Sequence, residues 1–296
     1  MTRLRDFIQF TENQVASKDI DPLYPVIAAL IESTGANREE AAWLVVHYLT
    51  FYSLPSAYEV WETAGRGPAD RPHRTLHCAT ERRGHRDPNK LHANMRGWVE
   101  AAASAGSLTA FLFDGLPTNR GLAWEEFRTR VERVPGNGRW ASYKLAELAL
   151  EVLGAPLRVL DMGHAYSSGP RKGILHLWPE APRGNSKVNV ALLDEYSARL
   201  TSRVNREVTA GTVRVEHVET MLCDFNALMH GDYYTGRDID ILQAVTAKAP
   251  TDVASAIYAA RAAALPHQYL GELGGWDGPS LERKRAYKLT RELIVR

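Results

Sequence analysis

The chain has only two cysteines, Cys78 and Cys223, among 296 residues. So few exclude a disulfide framework and any four-cysteine zinc or iron–sulfur site, and both are expected as thiols. No apolar run approaches the ~20 residues that a membrane span requires. The first residues, MTRLRDFIQF, lack the layout of a secretion signal, so the expected location is the cytoplasm, away from membranes. Net charge is only +1, which argues against a protein that coats nucleic acid by bulk electrostatics. Strand-like alternation and internal repeats are both missing. What remains is an all-α chain, 45% hydrophobic and 24% charged, long enough for one large domain or two lobes.

The stretch with most local design is Arg133 to Leu150, RVPGNGRWASYKLAELAL. Trp124, Phe127, Val131 and Val134 recur at helical spacing before it, and Ala141, Leu145, Leu148, Ala149 and Val152 after it. Two amphipathic helices therefore meet at Pro135-Gly136-Asn137-Gly138. A turn so short needs positive φ, which glycine takes without steric cost, and the missing Cβ lets another backbone approach. The first amides of the second helix then face outward, where the helix dipole favours an anion such as a DNA phosphate. Gly136, Asn137, Gly138 and Arg139 are the expected phosphate contacts, with Lys144 one turn further on. An ordinary helical corner has the same spacing.

Charge is unevenly placed. Arg71 to Arg96 holds seven Arg or Lys, two acids and four histidines, His73, His77, His85 and His92, and is expected as a cationic loop or groove wall. His73, His77, Cys78, His85 and His92 do not follow a standard zinc-ligand spacing, so no metal is expected. Asn37 with Glu40 forms a capping-box signature ahead of the run AAWLVVHYLTFY, expected as a central core helix with His47 as a hydrogen-bonded core residue. A helix is expected from Asn94 to Ala103, placing Arg96 near the basic stretch. Downstream, Leu157 to Leu160 reads as an apolar link ending in Asp161-Met162-Gly163-His164, followed by a Gly/Ser/Pro-rich basic loop, SSGPRKG, with Arg171 and Lys172. Helices are expected over Val190 to Val204, Val213 to His230, through Ile241 and Val245, over 252–264, and over 280–294 with its five cations.

A glycine hairpin opening a helix, then a spaced aspartate, resembles the helix-hairpin-helix DNA glycosylase superfamily. The match covers Pro135, Gly136, Gly138 and Asp161, roughly residues 120–165. It implies two helical lobes with a cleft between them, here 36–155 and 1–35 plus 156–296, a hairpin that grips the backbone, and an aspartate facing a flipped nucleotide. Where lyase-competent members keep a nucleophilic lysine, this chain has Trp140, so Schiff-base strand cleavage is not expected. The stretch CDFNALMHGDYYTGRDIDILQ together with NGRWASYKLAEL is similar to a phage family built on that fold, the α-glutamyl/putrescinyl-thymine pyrophosphorylases or amino acid:DNA transferases. That resemblance implies double-stranded DNA carrying pyrophosphorylated 5-hydroxymethyluracil, an amino acid or polyamine nucleophile, no cofactor, and an infected bacterial host as the setting.

Displacing pyrophosphate from a base with an amine makes four demands. The base must leave the stack. Cations must meet the departing polyanion, for which Arg96, Arg171 and Lys172 are candidates. The amine must be neutral, which calls for a base such as Asp161, His164 or His230. An amino-acid nucleophile brings a carboxylate for a bidentate arginine, here Arg237. Asp224, Asn226 and Tyr233 complete the candidate substrate contacts; each could equally belong to the core. The alternatives are a monofunctional DNA glycosylase, with Asp161 stabilising an oxocarbenium-like sugar, and a non-catalytic DNA-binding module.

Overall fold

A computed structural model describes residues 2–72 and 76–267. His73 and Arg74 of the basic stretch and the helix expected over 280–294 lie outside these. Among the described residues the regular structure is entirely helical. The chain divides into two compact units: residues 23–158 with 245–264, and residues 2–22 with 159–244 and 265–267.

Chain order is α1 (Thr2–Ser17), α2 (Leu23–Thr34), α3 (Arg38–Phe51), α4 (Leu54–Thr63), a 3₁₀ turn (Thr80–Arg86), α5 (Pro88–Ala105), α6 (Leu108–Phe113) and α7 (Arg120–Arg133). There follow α8 (Arg139–Val152), α9 (Gly169–Leu177), α10 (Lys187–Glu207), α11 (Val215–His230), α12 (Arg237–Thr246) and α13 (Thr251–Ala264).

The 23–158 unit is built around α3, whose residues from Ala41 to Phe51 are all buried. It packs on α4, α5, α6 and α8, while α13 lies on α2 and α4. A helix apolar on every side has no solvent face to present, which is why its sequence shows no amphipathic stripe. Its start is the expected capping box: Asn37 accepts from the Glu39 and Glu40 amides, and Glu40 accepts from the Asn37 amide at 2.8 Å. Inside it, His47 meets the Gly67 carbonyl at 3.1 Å. The helix expected from Asn94 begins earlier, at Pro88, because Asp87 caps it by accepting from the Asn89 amide at 3.0 Å and proline is tolerated in a first turn.

In the second unit α1, α9, α10 and α11 pack around Phe7, Phe10 and Phe225. Here the structure corrects the sequence reading at SSGPRKG, which is not a loop: Gly169 to Lys172 form the first turn of α9. Pro170 is compatible with that position, and the glycines serve packing. A Cβ at Gly169 would lie 2.5 Å from Cys223 Sγ, and one at Gly173 would lie 2.5 Å from the Leu222 carbonyl. Two glycines one turn apart thus let α9 press onto the backbone of α11.

Two outcomes check this account. Gly173→Ala forces a methyl against a main-chain oxygen that cannot swing away, and is expected to cost about 1–3 kcal/mol by urea unfolding. Gly84→Ala, where a Cβ meets nothing within 4 Å, is expected to stay within about 0.5 kcal/mol of the parent.

Candidate functional site

The corner between α7 and α8 is the five-residue connection Val134 to Gly138. Gly136 has φ +80°, so the left-handed position expected of a glycine is real there. Gly138 differs from expectation: its φ is −123°, extended backbone open to any residue. It is exposed, and a Cβ there would meet open space. The residue at the N-cap of α8 is Gly138 itself, which has no side chain to cap the helix's first amides.

What holds the corner lies beneath it. Asn94, fully buried on α5, donates from Nδ2 to the Pro135 carbonyl (2.6 Å) and to Asn137 Oδ1 (3.1 Å), while its Oδ1 accepts from Thr50 Oγ1 at 3.0 Å. Arg82 donates from Nε to the Leu49 carbonyl (2.8 Å), from Nη1 to the Gly136 carbonyl (3.1 Å) and from Nη2 to Asn137 Oδ1 (2.8 Å). His85 donates from Nδ1 to the Thr50 carbonyl at 2.7 Å, which leaves its Nε2 beside Gly136. A Cβ at Gly97 would run into the Pro135 ring, so α5 also touches the turn directly. Burial brings the Arg82 guanidinium down to about 10, still charged at neutral pH.

These contacts revise several expectations. Asn137 is 8% exposed, and its side chain is spent on Arg82, Asn94 and the Val131 carbonyl, so it braces the turn from inside rather than meeting DNA. Arg139 lies over the Trp124 and Tyr143 rings. Lys144 is ion-paired at 2.6 Å with buried Glu147, which also accepts from the Tyr24 hydroxyl at 2.7 Å. Neither cation projects as a phosphate ligand would. Arg96 is exposed, one residue from the Gly97–Pro135 contact. The basic stretch is therefore two things: exposed Arg71, Arg83, Arg86 and Lys90, and buried Arg82 and His85. Beside the turn, half-buried Trp140 meets Tyr52 edge-on at 5.0 Å between centroids, with Arg82 5.6 Å from its own. Tyr52 ends α3 with φ +49°, a costly conformation for a tyrosine.

In the 159–244 stretch the structure gathers Asp161, His164 and Arg171. Asp161 Oδ1 accepts from the Gly163 amide at 2.6 Å, closing a tight turn, and the Arg171 guanidinium donates to the His164 carbonyl. His164 is 1% exposed, its Nε2 2.7 Å from Ser197 Oγ on α10. Burial and Arg171 push its imidazole down to about 4, with Asp161 pulling the other way. Burial and Asp161 also raise the Asp194 carboxyl. Lys172 is exposed on the next position of α9.

His230 sits elsewhere, exposed at the end of α11. Its Nδ1 donates to the Asn226 carbonyl at 2.7 Å and its ring lies 5.6 Å from that of His176, whose Nε2 donates to Asn226 Oδ1 at 3.1 Å. Tyr233 does not face a base: it is fully buried, donating to Asp19 Oδ2 and accepting from Gln14 Nε2, each at 2.8 Å. Arg237 covers its ring at 4.3 Å and is paired with Asp238 at 2.9 Å. Burial pulls the Arg237 guanidinium down, but Asp238, Tyr233 and nearby Asp224 together hold it above its ordinary value. A cation so neutralised is poorly suited to clamp a second carboxylate, which removes the main reason for choosing it.

Sequence reasoning passed over Thr50, Arg82, Asn94, Asp194 and Ser197. Only Arg82 carried a signal, as one cation in a basic run. The described residues contain no group of three His, Cys, Asp or Glu side chains arranged to hold a metal, and no described helix is long and apolar enough to cross a membrane.

One measurement tests the brace and a second tests the buried histidines. Arg82→Gln removes the guanidinium donors from the Leu49 and Gly136 carbonyls and one of the two donors to Asn137 Oδ1, and is expected to cost about 2–4 kcal/mol in unfolding and to weaken DNA binding from beneath the surface. Burial also drives His47 and His85 down to about 4. Both are neutral when folded but titrate near 6.5 when unfolded, so protons favour the unfolded chain as pH falls. Stability should be full above about pH 6.5 and decline toward pH 4 by up to roughly 1 kcal/mol per pH unit for each histidine. His47→Gln should flatten that slope; a slope unchanged by the substitution would contradict the assignment.

A family model described as amino acid:DNA transferase matches residues 15–234, and no curated protein matches the chain. That match takes in the α7–α8 corner, Asp161 and the whole of α9 to α11, and the chain belongs to the amino acid:DNA transferase family.

Proposed function

We propose that this transferase, acting on DNA with an amino acid, displaces pyrophosphate from pyrophosphorylated 5-hydroxymethyluracil and leaves the glycosidic bond intact. The observation that carries the DNA-facing half is the α7–α8 corner: an exposed glycine edge at a helix start whose N-cap residue is a glycine, braced from within by Asn94, Arg82 and Asn137. Such an edge offers main-chain donors to a phosphate without reading sequence. Arg96, next to the contact of α5 with the turn, adds a phosphate ligand. Trp140 and Tyr52 offer aromatic surface beside the same edge, where a base can stack.

The chemical half belongs to Asp161, His164 and the start of α9. An amine attacks only when neutral, so the Asp161 carboxylate takes the proton that the donor must lose. Its lone pair then forms the C–N bond to the base's methylene carbon, and the C–O bond to pyrophosphate breaks with its electron pair. Exposed Lys172 supplies charge to the departing anion. His164, neutral above about pH 4, keeps one ring nitrogen as an acceptor rather than carrying a second proton.

Incubation with DNA bearing pyrophosphorylated 5-hydroxymethyluracil and single amino acids, followed by nucleoside mass spectrometry, tests this. The expected product is an amino-acid-substituted thymine with released pyrophosphate. Abasic sites formed without any amine would favour a glycosylase instead. Asp161→Asn should bind DNA as the parent does while losing turnover by about 100-fold or more.

A further inference from the structure

The cluster around His164 holds an unsatisfied atom. Ser197 Oγ carries one proton, and it lies 2.9 Å from the Leu193 carbonyl, which can only accept. His164 Nε2, 2.7 Å from the same oxygen, is therefore the donor in that contact. The tautomer is set, and Nδ1 is left as a lone pair with no hydrogen-bond partner among the described residues, in a ring that is 1% exposed. A buried acceptor without a donor is costly and uncommon in a folded protein. It marks a place where an N–H from outside the chain is wanted.

The charges around it say what kind of molecule carries that N–H. Asp161 lies within electrostatic reach of the His164 ring and of Asp194. Asp194 stands three residues before Ser197 on the same face of α10. Two carboxylates and an imidazole nitrogen make three acceptors, the number of donors on an ammonium group. The opposite sign comes from Arg171, half-buried, which gives one N–H to the His164 carbonyl from a guanidinium that has five to give. A group of this polarity suits a zwitterion. A polyamine would leave Arg171 facing nothing of opposite charge.

We propose that Asp161, Asp194 and His164 Nδ1 receive the ammonium, and Arg171 the carboxylate, of the α-amino acid used by the transferase, with Ser197 as the positioning residue that fixes the His164 tautomer. This assigns Arg171 to the donor instead of to pyrophosphate. It rests on the preceding reading only in taking the bound amino acid to be the group transferred.

The test combines steady-state transfer to modified DNA with calorimetric titration of glycine, serine, glutamate and putrescine into the full chain. One of the amino acids should bind, and putrescine should not displace it. Arg171→Gln and Asp194→Asn should each raise KM for that amino acid about tenfold or more, with KM for DNA unchanged. Ser197→Ala should weaken amino-acid binding, and Ser197→Thr, which keeps the hydroxyl, should restore it; thermal melts of all variants confirm that each is folded. Wild-type KM for the amino acid in both Asp194→Asn and Ser197→Ala, or putrescine binding as tightly as the amino acid, overturns the assignment while leaving transfer intact. Amino-acid binding that Arg171→Gln abolishes, in a chain that modifies no DNA, supports the assignment and sinks the transfer reading instead.

Discussion

The α7–α8 corner depends on a layer of buried and half-buried hydrogen bonds beneath it. Its carbonyls at Pro135 and Gly136 and the side chain of Asn137 are all answered from inside, by Asn94 and Arg82. That division of labour matters because a short connection cannot satisfy its own polar groups by regular hydrogen bonding. With the carbonyls held from below, the turn keeps one shape. Each member needs the others: Thr50 orients Asn94, Asn94 and Arg82 share Asn137, and His85 closes the gap under Gly136. A network that is fully satisfied is rigid, and the same network with one member missing is a liability.

Residues 159–244 are governed by a different constraint, the close approach of α9 to α11. Gly169 and Gly173 remove the side chains that would hold these helices apart. Arg171 and Lys172 lie between them in sequence and so turn away from the tight seam, which lets Arg171 reach back to the His164 carbonyl. The same basic run is thus both a packing surface and a source of positive charge. Tyr233 and Asp19 anchor the far end of α11, where Asp19 accepts from Tyr233 and from the Gly236 and Ile239 amides. Burial and Asp238 nonetheless push the Asp19 carboxyl up to about 8, a sign of how little solvent that anchor sees.

Elements with a strong local code were legible. The Asn37 capping box, the all-apolar α3, the two helices flanking the glycine corner and the stripe of α11 follow from periodicity and capping chemistry, which act within a few residues. The family resemblance was legible from the same corner and the stretch after Cys223. Reading failed where one residue type serves two purposes. By composition SSGPRKG reads as a basic loop, yet its Gly169 and Gly173 form a seam between helices. Tyr233 reads equally as a substrate contact or as core and is buried, while Arg237, chosen as a carboxylate clamp, is paired with Asp238.

Sequence alone determined the helical class, the position of the corner, the glycine with positive φ and the presence of Asp161 and His164 after it, because each is written in spacing or in a residue's own conformational limits. Tertiary structure decided which polar groups are spent and which are spare. Arg82 and Arg96 are the same residue type in one basic stretch, yet one is locked under the turn and the other is exposed. Asn137 and Ser197 acquired their partners, and His164 lost its second one, through contacts dozens of residues away. Burial and partnership are properties of the packed chain, and no local pattern encodes them.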